Sequence, residues 1–318
     1  MPFAGRALLP YDESGEPDVV TRRDPHPPVR RGAGSGTPHV GVLVERRYLA
    51  QLQPAGLVAA LGARGCRVRL IDPQAEAFRL GEDAWLSGLD VVVARGRSWE
   101  LLCLLARAEA RGVPTINRRS AIGAVHNKAE MALALETAGV PMPKTFLGSP
   151  RGLGARLATG ARGARLVLKP VFGDNGDGLK LVNEEAELEG IDWPEPVALA
   201  QEVVPGGGRE RKLYGIGEKV WAVERQSLFA LDRGEVPVQS AAPRAQAVPP
   251  TPAELGLAAY CRRLFGLEFY GLDCIPAAGG PVVIEVNDFP NYTGVPEASD
   301  RLAEFVVSRV QQAAEEHA

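Results

Sequence analysis

Asp273, Glu285 and Asn287 are the side chains in this sequence whose types and spacing most directly suggest chemistry. They lie in Phe269-Tyr-Gly-Leu-Asp-Cys-Ile-Pro-Ala-Ala-Gly-Gly-Pro-Val-Val-Ile-Glu-Val-Asn-Asp-Phe-Pro-Asn-Tyr292, where two apolar runs flank Ala277-Ala278-Gly279-Gly280. Short β-rich runs around a glycine-containing turn predict a hairpin. Asp273 then falls on its first strand, and Glu285 and Asn287 on its second. Side chains alternate along a strand, so Glu285 and Asn287 share a face. If Ala277 pairs with Pro281, Asp273 lies opposite Glu285. Carboxylates among Ile, Val, Leu and Phe are costly unless a cation or hydrogen bonds compensate them. Oxygen donors without Cys or His suit Mg²⁺ or Mn²⁺. The same spacing also fits an antiparallel hairpin whose acids face water, and spacing alone leaves both readings open.

A second constellation lies upstream. Arg165-Leu-Val-Leu-Lys169 reads as a strand with Val167 and Lys169 on one face. Phe172-Gly-Asp-Asn-Gly-Asp-Gly178 follows it directly. Gly173, Gly176 and Gly178 permit positive φ and close backbone approach to a ligand, and a lysine beside such a loop suits a phosphate. Asp174, Asn175 and Asp177 fill the glycine spacing. Glu210 to Arg225 reads as another hairpin, turning at Gly217-Glu218-Lys219 and carrying Glu210, Lys212 and Arg225. Lys128 sits in a helix running from Val125 to about Ala138. Each of these cations, taken singly, also reads as a solvated surface charge.

The elements that must position these residues follow from periodicity. The first strand is Val40–Val44, followed by a helix from Leu52 to Gly65. Further strands are expected at Arg67–Ile71, Leu89–Ala94 and Pro114–Asn117, with a helix over Trp99–Arg111. Alternating strands and helices predict a parallel, doubly wound sheet. No G-x-G-x-x-G follows the first strand, so the dinucleotide fingerprint is missing. Thr251 and Glu254 form a capping-box pattern before a helix to Leu264, and Asp300 to Ala314 is amphipathic. The 318 residues, 45% hydrophobic, allow two or three small domains, and a net charge of −3 argues against wholesale nucleic-acid binding. Cys66, Cys103, Cys261 and Cys274 lack metal or paired spacing and read as reduced core or near-core thiols, as expected of a cytoplasmic protein. No apolar run approaches membrane-spanning length. Residues 1–38, rich in Pro, Gly, Arg and Asp, read as a loosely ordered tail.

Read together, these motifs resemble the ATP-grasp superfamily, and its RimK-like ligase branch in particular. The resemblance is carried by Asn117-x-x-x-Ala121-Ile122, by Asn127-Lys128 with Ala138-Gly-Val-Pro-x-Pro143, by Lys169-Pro170 and its glycine loop, by Gln201-Glu-Val-Val204, by the Glu210–Arg225 hairpin and by Gly271-Leu-Asp273 with Glu285-Val-Asn287. It implies an α/β (α+β) fold: an N-terminal domain over 39–121, a central ATP-grasp subdomain over 122–201 and a C-terminal subdomain over 202–318, with ATP between the last two. It implies two Mg²⁺ ions, or Mn²⁺, on Asp273, Glu285 and Asn287. It implies phosphate contacts from Lys128, Lys169, Gly173, Asn175, Gly176 and Gly178, adenine contacts along Glu202, Val203 and Val204, and further nucleotide contact from Glu210. Lys169, Lys212 and Arg225 are implied as catalytic. Glu210 stands where Asp is usual, and the N-x-x-x-G-G segment expected within Ser227–Pro250 is absent. The implied activity is an ATP-dependent carboxylate–amine ligase acting through an acyl phosphate, with the 172–178 loop closing over the phosphates. The carboxylate belongs to a small molecule or peptide. Neither nucleic acid nor membrane is an expected partner, and a homo-oligomer is among the expected states. Asp288-Phe-Pro-Asn-Tyr292 also resembles inositol phosphate kinases of the same fold, so a hydroxyl kinase is the alternative, with nucleotide binding without turnover as a third. Arg46, Arg47, Arg95 and Arg97 are candidates for an anionic substrate, or are solvated charges at strand ends.

Overall fold

In the computed structural model, which describes residues 36–158, 165–173, 176–205, 207–226 and 245–316, the chain folds around three sheets. The first is parallel, in the order β2-β1-β3-β4. Its strands are β1 (His39–Val44), β2 (Arg67–Ile71), β3 (Val91–Arg95) and β4 (Thr115–Ile116). Helix α1 (Leu52–Ala63) and helix α2 (Trp99–Ala110) cross over between strands. β3 is buried along its whole length, as a central strand covered on both faces must be. Gly65 and Gly112 take positive φ just beyond the two helices, where a left-handed residue closes the last turn.

The expected helix over 125–138 is two helices. α3 (Arg119–His126) ends at Asn127, and α4 (Lys128–Thr137) begins after it. The Asn127 side chain accepts from the amides of Ala129 and Glu130, so a cap interrupts what apolar period alone reads as continuous. Strand β5 (Thr145–Gly148), helix α5 (Pro150–Ala158) and strands β6 (Leu166–Lys169), β7 (Lys180–Val182) and β8 (Ala198–Glu202) form an antiparallel sheet ordered β5-β8-β6-β7. The third sheet runs β11-β10-β9-β12-β13. It contains β9 (Arg209–Ile216), β10 (Lys219–Gln226), β11 (Gln246–Val248), β12 (Phe269–Ala277) and β13 (Gly280–Asp288), with helix α6 (Pro252–Phe265) before β12 and helix α7 (Ala298–Glu315) closing the chain. Asp174, Asn175 and most of the Ser227–Pro250 segment lie outside the described residues, as do residues 1–35.

Packing crosses the chain order at two places. Leu302, Ala303 and Val306 of α7 share a core with Val40, Val42, Leu57 and Val93 of the first sheet. Ala121, Val125, Met131 and Leu135 of α3 and α4 share another with Leu272, Val283 and Val286 of the third. Three cysteines, Cys66, Cys261 and Cys274, are buried as expected; Cys103 is exposed on α2.

The register of the β12–β13 hairpin differs from expectation in a way that matters. Ala277 pairs with Gly280, not Pro281, through a two-residue turn. That alignment alone would bring Ile284 opposite Asp273. A bulge between Cys274 and Asp273 absorbs Ile284, and Glu285 becomes the partner of Asp273 after all. Backbone packing also dictates one glycine nearby: a Cβ on Gly215 would lie 2.0 Å from the Tyr270 ring.

The capping box on α6 forms as expected, with Thr251 accepting from the Glu254 amide and Glu254 accepting from Thr251. Thr251→Ala therefore lowers unfolding free energy by about 1 kcal/mol, read as a lower urea midpoint at unchanged slope.

Candidate active site

The bulged hairpin puts Asp273, Glu285 and Asn287 on one face, Asn287 being paired with Gly271. Asn287 Nδ2 donates to Asp273 Oδ2 at 3.0 Å, which leaves its carbonyl oxygen available. Each carboxylate is met by a lysine. β9 runs beside β12 in a register that sets Lys212 opposite Asp273, and Nζ lies 3.1 Å from Asp273 Oδ1. Lys128, the first residue of α4, reaches Glu285 Oε1 at 2.9 Å and the Gly173 carbonyl at 2.6 Å. A cation at a helix N-terminus opposes the helix dipole, so Glu285 and that carbonyl compensate a position the helix itself disfavours. On the neighbouring hairpin, β10 sets Arg225 opposite Glu210; Nε donates to Glu210 at 2.9 Å, and the guanidinium approaches Asp273 to 3.8 Å.

These groups line one cavity of about 300 Å³ between the second and third sheets. Of the residues singled out from sequence, Lys128, Lys169, Gly173, Gly176, Glu202, Val203, Val204, Glu210, Lys212, Arg225, Asp273, Glu285 and Asn287 all face it. Gly178 does not line it. It takes φ +75°, and a Cβ there would meet the Pro170 side chain at 2.8 Å, so its glycine serves the loop's own path. Gly176 takes φ +79°. Asn175 lies outside the described residues. Along the connecting segment, the Glu202 amide donates to Lys144 O and the Val203 amide to Arg165 O, while the Val204 amide has no partner among the described residues. Arg46 and Arg47 are exposed, with ion pairs to Asp72 and Glu45, whereas Arg95 and Arg97 are buried.

Sequence reading missed Gln201 and Ile284. Gln201 is buried on β8 and accepts from Lys169 Nζ at 2.5 Å, its own amide donating to Thr145 Oγ1 at 3.2 Å. A lone glutamine closing the apolar run Val197–Ala200 was the available signal. Ile284 enters the cavity only because the bulge turns it there, and no local pattern marks it.

Electrostatics differ among the cations. Burial pushes the Lys169 ammonium below the ordinary lysine value; Glu285 pulls the other way and is outweighed. Burial also opposes the charge on Lys212, but Asp273 beside it wins and its pKa is raised. Arg225 is likewise raised, burial being outweighed by Asp273 and Glu210. His126, nearby and in edge contact with Phe172 at 5.1 Å, is lowered by burial and then by Arg97.

Among the described residues no three His, Cys, Asp or Glu side chains gather as a metal site. The cluster is instead two carboxylates and an amide, all hard oxygen donors. Two lysine ammoniums already sit against the acids, which marks the place as one where positive charge is required. That donor set fits Mg²⁺ or Mn²⁺.

No protein-family model matches the chain. A protein of Sodalis glossinidius named a probable alpha-L-glutamate ligase is 30% identical over 259 residues, spanning 76% of this chain and 86% of the relative. One of the same name from Thioalkalivibrio sulfidiphilus is 29% identical over 285 residues, spanning 82% and 92%. The crystal structure of a RimK domain ATP-grasp protein from Sphaerobacter thermophilus superposes with a TM-score of 0.65 at 21% identity, covering 84% of this chain and 98% of that one; that likeness concerns the fold.

The lowered Lys169 has a measurable consequence. Between its folded-state pKa and the ordinary lysine value, the unfolded chain binds the extra proton, so this residue makes stability rise with pH across that window. The penalty is fully present below it. Lys169→Met is therefore more stable than the parent at neutral pH. Urea unfolding of both proteins at a series of pH values should show the gap closing as pH rises toward the ordinary lysine value.

Proposed function

The chain belongs to the RimK-like alpha-L-glutamate ligase family of ATP-grasp enzymes, and from that premise we propose how its cavity performs ATP-dependent carboxylate–amine ligation. The observation that carries the reading is the single cavity lined by Lys128, Lys169, Lys212, Arg225 and the Asp273–Glu285–Asn287 face. Such ligation uses ATP to convert a carboxylate to an acyl phosphate, which an amine then displaces to give an amide, ADP and phosphate. Asp273, Glu285 and Asn287 would hold Mg²⁺, two ions being the reading from the motif, and the metal would supply positive charge to the phosphates of ATP when bound.

The remaining chemistry belongs to the chain itself. Lys128, whose Nζ lies 2.6 Å from the Gly173 carbonyl, and Lys169, at the end of β6, hold the phosphates. Gln201 keeps the buried Lys169 ammonium aimed into the cavity. Lys212 and Arg225 lie where the cavity meets Asp273, and their charge opposes the negative charge that builds on the transferring group. Val167, Ile275 and Ile284 form apolar walls that exclude water from an easily hydrolysed intermediate. No side chain is needed as a nucleophile, because positioning and charge do the work. The Val204 amide, without a partner among the described residues, is the hinge group we assign to an adenine edge.

The hydroxyl-kinase alternative calls for a dense basic pocket. Here Asp273, Glu210 and Glu285 offset Lys212, Arg225 and Lys128 pair by pair. That balance suits one nucleotide with its metal better than a polyphosphate acceptor. The names of the relatives support L-glutamate as one of the two joined partners.

Glu285→Gln, isosteric and in the middle of β13, lowers turnover by about a hundredfold or more with the fold retained, while the melting temperature falls because Lys128 loses its carboxylate partner. Turnover at the parent rate in saturating Mg²⁺ would remove Glu285 from the site. For the reaction, the parent protein is incubated with Mg·ATP, L-glutamate and candidate carboxylates. Free phosphate together with a product heavier by one glutamyl unit is expected. Phosphate retained on an alcohol would refute the ligase reading.

A further inference from the structure

The metal face has a second side. Asp288 follows Asn287 directly, so its carboxylate points to the opposite face of β13. There it is 1% exposed and lies 3.0 Å from Arg97 Nε, which is 6% exposed. Neither carboxylate oxygen accepts a hydrogen bond among the described residues. Arg97 comes from the first sheet, in the turn between β3 and α2. That turn is itself built around a buried acid. Glu45 accepts from the amides of Arg97 and Ser98, the latter at 2.6 Å, and from Arg47 Nε at 2.8 Å. Gly96 is a glycine because a Cβ there would lie 2.4 Å from Glu45. Arg95 adds a contact from the same strand end, its guanidinium 4.2 Å from the Tyr48 ring centre and 3.5 Å from the Asp288 carbonyl.

A matching tether holds the other strand of the hairpin. Asn117, 1% exposed at the end of β4, accepts from the amides of Glu268 and Phe269 at 2.7 and 2.9 Å and donates to the Phe269 carbonyl at 2.7 Å. Tyr270 pairs with Asp288, so the two tethers grip the open end of the hairpin from both strands: Phe269 lies two residues before Gly271, and Asp288 one residue after Asn287. The hairpin that presents Asp273, Glu285 and Asn287 is thus mounted on the first sheet by buried polar groups, not by apolar packing alone.

We infer that Arg97 is a positioning residue for the metal face: through Asp288 it fixes the end of β13 and with it the direction of the Asn287 and Glu285 side chains. This rests on the reading of Asp273, Glu285 and Asn287 as metal ligands. A buried pair without hydrogen bonds to the carboxylate is a poor stabilising device, since apolar groups of similar volume fill such a place at least as well. Outer groups that orient ligands, by contrast, commonly change metal affinity about ten- to a hundredfold when altered.

The test separates orientation from stability. Mn²⁺ binding to the full chain with ADP is titrated by electron paramagnetic resonance for the parent, Asp288→Asn, Arg97→Lys and the double variant Arg97→Met/Asp288→Leu. The double variant removes both charges and keeps the melting temperature near that of the parent, while Mn²⁺ affinity falls about tenfold or more. Asp288→Asn leaves the Arg97 charge buried and unpaired, so its melting temperature is read beside its Mn²⁺ affinity, and Arg97→Lys, which keeps both charges of the pair, serves if either of these variants fails to fold. Arg97→Lys, which keeps the charge, recovers part of the affinity. Parent-like Mn²⁺ affinity in the folded variants would overturn the inference. Glu285→Gln is the control. If it too binds Mn²⁺ like the parent, the metal reading itself fails; if it alone loses Mn²⁺, only the role of Arg97 falls.

Discussion

Charge balance in a cleft between two sheets governs this structure. Lys128, Lys169, Lys212 and Arg225 converge on a cavity with apolar walls, where an unpaired ammonium or carboxylate is costly. Three of these cations touch an acid, and Lys169, whose nearest partner is a neutral amide, is the one whose pKa falls. No single sheet supplies this arrangement. Lys169 and Gln201 come from the second sheet, Lys212, Arg225 and the acids from the third, and Lys128 from α4, which packs against the third. The cleft exists because two sheets of different origin face each other across it. Nucleotide phosphates and a divalent cation entering such a place exchange partners with groups already matched, and meet few bare charges.

Much of this was legible in the sequence because the decisive residues lie in short local patterns. The β12–β13 hairpin, the lysine ending β6, the hairpin from Glu210 to Arg225 and the α6 capping box each depend on neighbours within about one element of chain, where turn chemistry and alternation apply. The parts that escaped are non-local. Nothing near Asp288 announces that it meets Arg97, far away in sequence, and nothing near Asn117 announces that it ties the start of β12. Arginines at strand ends read as solvated for the same reason: burial of Arg95 and Arg97 is decided by another sheet closing over them. The break between α3 and α4 was hidden in a different way, since Asn127 both caps one helix and ends the other within an unbroken apolar period.

The first sheet is consequently more than a neighbour of the catalytic halves. Removing one partner of a buried ion pair such as Arg97–Asp288 commonly costs about 3–5 kcal/mol, a large share of the 5–15 kcal/mol that holds an ordinary domain together. Helix α7 reinforces the connection, because the last helix of the chain completes the core of the first sheet. Folding of the first sheet therefore depends on residues distant from it in sequence.

The bulge at Ile284 separates the two ends of the β12–β13 hairpin. The alignment of the Asp273–Glu285–Asn287 face is fixed by the bulge and by the gripped open end, whereas the turn at Ala278–Gly279 is exposed, and a side chain at Gly279 would meet nothing within 4 Å. The tip is thereby released from any duty in register. Lengthening or shortening the turn in paired steps leaves Asp273, Glu285 and Asn287 in place. Counting residues from the turn is accordingly a poor way to carry the ligand positions from one sequence to another, and counting back from the Glu-x-Asn end is a sound one. The same freedom makes the tip a natural place to graft a peptide tag.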